Sequence, residues 1–157
     1  MARLIADGEV RIAFAPTVGD PTAPTVAEVV TAGVNITPFI SSLDTPLEGE
    51  AVPSADLSSA FNKTVPGTFG GEMVAEMYRD DTADTAFTTF PRNTLGYIVI
   101  RRFGGSTVAM IAGDDVEVWP IRVITRSPSP LSRGTVQMFS VNMATLDDPA
   151  IDVEIVA

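Results

Sequence analysis

From Pro66 to Arg102 the chain alternates, turns, shifts to helical spacing and alternates again, and no other stretch limits the fold as much. Met73, Ala75 and Met77 interleave with Glu72, Val74, Glu76 and Tyr78. Successive side chains of a strand point to opposite faces, so this run has one apolar face and one mixed, wetter face. Asp81 then stands where an N-cap carboxylate takes an orphan backbone N–H, and Asp84 follows where negative charge suits the helix dipole. Ala83, Ala86, Phe87 and Phe90 recur at helical spacing and predict one buried stripe. Pro91 ends it, because proline donates no N–H and disfavours helical geometry in its predecessor. One short helix over 81–90 is the expectation. The run 97–102 is β-rich and apolar on both faces, which predicts a central strand with Arg101 and Arg102 at its end.

The rest of the chain is punctuated in the same manner. Twelve Gly and twelve Pro favour short strands joined by turns over long helices. Val10, Ile12 and Phe14 alternate with Glu9, Arg11 and Ala13, the pattern of a half-buried strand. Thr25 and Glu28 fit a capping box ahead of a short helical turn ending at Gly33, while the β-branched residues of 26–30 leave a strand as the rival reading. Strands are expected at 34–40, interrupted by Pro38, at 107–112 after the Gly104-Gly105 turn, at 116–125 with Pro120 at a bulge or edge, at 134–143, and at 151–156. Trp119, the single Trp, reads as a core or interface anchor. The span 41–59 is polar and holds Asp44, Glu48, Glu50 and Asp56. It reads either as an arm reaching a neighbour or as a solvated excursion.

These signals together predict one mainly β domain over 1–157, built as two packed antiparallel sheets in a sandwich or barrel with one short flanking α-helix. At 157 residues and 45% hydrophobic content the chain is long enough to bury a proper core.

Composition also removes whole classes of chemistry. With no Cys there are no disulfides, thiolate metal sites or cysteine nucleophiles. With no His the commonest general base and every Ser-His triad are gone. Lys63 is the single lysine on which amine chemistry could rest. A net charge of −10 opposes phosphate-backbone binding. Asp114-Asp115 and Asp147-Asp148 lack calcium-loop spacing and read as turns, and no Gly-Lys-Ser/Thr follows the paired glycines. Glu72 and Glu76, on one strand face, could do acid–base work if buried and otherwise form a solvated face. No catalytic residue, metal or cofactor is expected. No apolar run is long enough to cross a bilayer, and the first residues carry no secretory core, so the expected location is a cytoplasm or a particle assembled there.

A resemblance sharpens this reading. The ordered set Ala23-Pro-Thr-Val-Ala-Glu-Val-Val-Thr-Ala-Gly33, Val34-Asn-Ile-Thr37, Phe61-Asn-Lys-Thr-Val-Pro-Gly-Thr68, Tyr78-Arg-Asp80, Asp84 with Ala86, and Gly96-Tyr-Ile-Val-Ile-Arg-Arg102 resembles the major tail tube proteins of phages with long non-contractile tails. It spans roughly 11–140, and 41–60 match poorly. The resemblance implies a structural virion protein whose subunits form hexameric rings that stack into a hollow tube. It implies a tape-measure protein, a tail terminator and tail-tip proteins as partners, DNA passing through without specific binding, and no membrane contact.

In that setting Glu72 and Glu76 become candidate lumen-facing residues, and an acidic wall has a use, since it repels DNA and lets it slide. Plain solubility remains the alternative reason for the acidity. Asp44, Glu48 and Glu50 in the arm, with Arg101 and Arg102, become candidate inter-subunit residues. The rival functions are another ring protein of similar fold, such as a terminator, a tip protein or a type VI secretion tube subunit, and a carbohydrate-binding β-sandwich or carboxylate-only hydrolase.

Overall fold

A computed structural model describes residues 5–54, 56–58, 60–61 and 63–157. Residues 1–4 of the N-terminal segment, Ala55 and Ser59 of the candidate arm, and Asn62 lie outside it. The strands are β1 (Arg11–Ala15), β2 (Val34–Asn35), β3 (Ile40–Asp44), β4 (Glu48–Pro53), β5 (Thr64–Gly70), β6 (Glu72–Tyr78), β7 (Leu95–Arg101), β8 (Asp115–Pro128), β9 (Met138–Thr145) and β10 (Ala150–Glu154); the helix α1 is Thr85–Thr89. They make two antiparallel sheets of unequal size. The large one has eight strands in the order β2-β1-β7-β8-β9-β6-β3, with β10 beside β8, and the small one is the β4-β5 hairpin.

The large sheet curls because its inner faces share one core. Ile12 and Phe14 of β1, Ile98 and Ile100 of β7, Trp119 of β8, Phe139 of β9 and Met73 of β6 belong to a single buried cluster. Ala86 and Phe90 enter it from α1, and Phe90 meets Phe14 edge to face at 5.1 Å. Behind β1, β7 and the start of β8 lies a second cluster with Ala13, Ala15, Val29, Val99, Val118 and Ile155. β7 is therefore central, with Ile98 in one cluster and Val99 in the other. β1 is buried on both faces rather than half-buried. Its Ala13 and Ala15 are small enough to admit a second layer.

Several local expectations shift. The wide helical turn Ala27–Thr31 prevails over the strand reading at 26–30. Its capping box forms: the Thr25 N–H donates to Glu28 Oε2 at 2.9 Å and the Glu28 N–H to Thr25 Oγ1 at 3.3 Å. The expected strand 34–40 stops after Asn35, because Pro38 sits in the first positions of the tight turn Thr37–Phe39, where a missing N–H costs nothing. In α1 the N-cap is Asp84, at φ 48°, and not Asp81. The Asp84 carboxylate turns back to Arg79 and to the Asp80 N–H, so it caps no helical N–H and only five residues are helical. Residues 107–112 form no strand. The bulge in β8 falls between Val123 and Thr125 rather than at Pro120. Pro120 is tolerated because it lies past the last β10 partner, Val118, and before the first β9 partner, Ile121.

Candidate functional site: a polar sheet face and a projecting hairpin

The outer face of β3, β6, β9 and the second half of β8 is a polar surface built in rows. Ser42, Glu76, Ser140 and Ser127 stand side by side across four strands, and so do Asp44, Val74, Asn142 and Thr125. Glu72, Ala144 and Arg122 make a third row. Alternation explains the surface: Met73, Ala75 and Met77 go to the core, which turns Glu72 and Glu76 outward. Both glutamates are exposed on an open face, the setting of a solvated or lumen-facing pair rather than an enclosed acid–base site. The Ser42 hydroxyl donates to Glu76 Oε2 at 3.4 Å. Asp44 sits on this face and not on the hairpin. Sequence reasoning missed Ser42, Thr125, Ser127, Ser140 and Asn142. The in-phase run Phe139, Val141 and Met143 carried the signal, because the residues between them must face the other way.

The span 41–59 divides: its first residues join the large sheet as β3, and β4 leaves the body to pair, among the described residues, only with β5. Every residue of β4 is exposed. Val52 opposes Val65, Ala51 opposes Pro66 and Gly49 opposes Phe69. The register slips between Gly49 and Ala51, where Gly67 makes room: a Cβ there would come within 2.7 Å of Val52 Cγ2. Glu48 and Glu50 are exposed on this hairpin, and Glu50 accepts from the Thr68 hydroxyl at 3.3 Å. A lone two-stranded ribbon is marginally stable in water, and this one also exposes Val52, Val65 and Phe69.

The two arginines separate. Arg101 is 3% exposed and folds inward. Its guanidinium reaches Asp114 Oδ2 at 2.7 Å and the carbonyls of Gly105 at 2.7 Å, Val108 at 2.8 Å and Ala109 at 3.2 Å. The expected inter-subunit role of Arg101 is therefore corrected: Gly104 and Gly105, both at positive φ, bend the loop so that its carbonyls converge on the cation. Burial pushes the Asp114 carboxyl up, but the Ile111 N–H and Arg101 outweigh it and hold it below the ordinary value. Arg102 stays half-exposed and pairs with buried Glu117, whose Oε2 also accepts from Trp119 Nε1 at 3.1 Å. Trp119 is thus a core anchor with a satisfied indole. Among the described residues no group of three or more His, Cys, Asp or Glu could hold a metal ion.

The chain thus presents a polar face on its large sheet and an exposed two-stranded ribbon beside it. A family model described as "Phage tail tube protein" matches residues 1–157. The chain belongs to the phage tail tube protein family. No curated protein matches it. Among solved structures, this tail tube protein is similar to a chain of the tail of an empty gene transfer agent particle, solved with C6 symmetry, at 10% identity and TM-score 0.57, covering 96% of this chain and 98% of that one. It is also similar to a chain of the anti-feeding prophage baseplate, 6-fold symmetrised, at 12% identity and TM-score 0.57, covering 95% of each. A third likeness is to a chain of the sheath-tube complex of an extracellular contractile injection system, at 9% identity and TM-score 0.59, covering 93% of this chain and 89% of that one. Family and fold are those of structural tail tube proteins, and the tail tube protein is a virion tail component.

Proposed function

We propose that this tail tube protein closes into rings whose polar faces line a bore, that the rings stack into a hollow tube, and that DNA is delivered through it. The observation that carries this reading is a pair of open strand edges. Among the described residues β3 pairs only with β6, and β8 beyond Val123 pairs only with β9. These edges flank the polar rows on opposite sides, and both strands run so that β3 of one copy meets β8 of the next antiparallel. Closure would remove both edges and make a continuous barrel of four strands per copy.

The likeness to assemblies solved with sixfold symmetry favours six copies. Six subunits at −10 each bring −60 to a ring, with Glu72, Glu76 and Asp44 turned to the bore. Such a wall repels DNA and lets it pass. The β4-β5 hairpin, with Glu48 and Glu50, is the arm that reaches the adjacent ring. Assembly takes place in the host cytoplasm, on a tape-measure protein, between tail-tip proteins and a terminator.

Negative-stain microscopy of the purified chain tests the reading. Long hollow filaments are expected. The baseplate likeness favours one rival, a ring that caps rather than stacks, and rings that never form filaments would select it. A persistent monomer at high concentration would remove both.

A further inference from the structure

The seam between the two margins of the large sheet is a cleft of about 420 Å³. Val10, Ile12, Ile40, Leu43 and Ile100 line it together with polar residues, Arg102 and the β3 serines Ser41 and Ser42 among them. The cleft runs along β3, beside the edge through which the proposed ring closes. The segment that follows β8 carries Leu131, 78% exposed, on the β8-β9 turn. Pro128 at the end of β8 lies opposite Phe139, Phe139 opposite Met77, and Met77 opposite Ile40 at the start of β3. The end of β8 and the start of β3 are therefore at the same height of the sheet.

When β8 of one copy is laid antiparallel against β3 of the next, the chain leaving β8 emerges beside Ile40, at the mouth of the cleft. We infer that Leu131 of each copy inserts into the β1-β3 cleft of its ring neighbour. The contact rests on the ring reading above and deepens it. It gives edge pairing a side-chain lock, because backbone pairing alone leaves register free to slip. An exposed leucine and the apolar part of an open cleft are each unfavourable alone and complementary together, while the cleft's polar residues remain free to keep water or meet the neighbour's backbone.

The chain has no Cys, so an engineered pair reports the contact directly. The variant carrying both Leu131→Cys and Ser41→Cys, assembled and then oxidised, is expected to give a ladder of disulfide-linked multimers on a non-reducing gel. Ser41 lines the cleft and is exposed, and Leu131 is exposed, so neither change disturbs the folded subunit. Leu131→Asp is expected to raise the concentration needed for rings by about tenfold or more, and Leu131→Met to leave it near wild type. Rings or tubes that form without cross-links, and that tolerate Leu131→Asp, overturn the contact while the assembly reading stands. A wild-type chain that forms neither rings nor tubes overturns the assembly reading, and the contact falls with it.

Discussion

Gly71 and Pro46 pass so closely at the root of the β4-β5 hairpin that a Cβ on Gly71 would lie 2.1 Å from the Pro46 carbonyl oxygen. The Gly71 carbonyl is also fixed, accepting the Thr145 N–H at 3.1 Å. The hairpin is thus attached to the body at a point where only glycine fits. Gly71→Ala should force the two passing chains apart, at a cost of about 1–3 kcal/mol as in other overpacked sites. Urea denaturation should show the loss, and microscopy should show shortened or absent filaments. A variant with wild-type stability and filament length would mean that the approach at the root is dispensable.

Removing the hairpin altogether separates folding from assembly. β4 and β5 contribute no residue to either buried cluster. A chain joined from Leu47 to Gly70 should therefore keep its cooperative thermal transition while losing long tubes. If tubes of normal length still form, the hairpin is not the arm.

Arg101 and Asp114 offer the clearest stability test. Arg101→Met strands a partly buried carboxylate and releases the loop carbonyls, so a loss of about 3 kcal/mol is expected. Limited proteolysis should then cut within 104–109 faster than in the wild type. Unchanged stability would show that the guanidinium network contributes nothing net.

The same pair sets a pH dependence. The folded Asp114 carboxyl is held below its ordinary value, as is that of Glu28, by the N–H groups of Thr25 and Gly19. A depressed folded value means that the unfolded state takes up protons first. The stabilisation is therefore present above about pH 4 and is lost as pH falls further, through the folded values. Denaturation midpoints followed from pH 6 downward should fall on that limb. The fall should be shallower in Arg101→Met, and an equally steep fall would show that Arg101 does not depress Asp114.

Bore charge makes a prediction about salt. If repulsion among six acidic subunits limits assembly, added salt should strengthen polymerisation by screening it. Glu72→Gln with Glu76→Gln should assemble more readily at low salt, with subunit stability unchanged within about 0.5 kcal/mol. Light scattering that falls with salt, or glutamine variants that need more salt than wild type, would contradict a repulsive bore.

What the amino-acid order determined by itself was local. The Thr25–Glu28 capping box, the alternation that turns Glu72 and Glu76 away from Met73 and Met77, the apolar run of β7 and the stop at Pro91 all depend on residues a few positions apart. Tertiary structure decided the rest. Asp84 rather than Asp81 heads α1 because Arg79 and the Asp80 N–H draw its carboxylate backward. Arg101 turns inward because a loop up to eight residues further along wraps its carbonyls around it. The span 41–59 splits between body and hairpin because β3 finds β6 and β4 finds β5, pairings between segments that no short window of sequence contains. Near-neighbour rules specify which way a side chain points. Only the closing of distant backbone pairs specifies what it meets there.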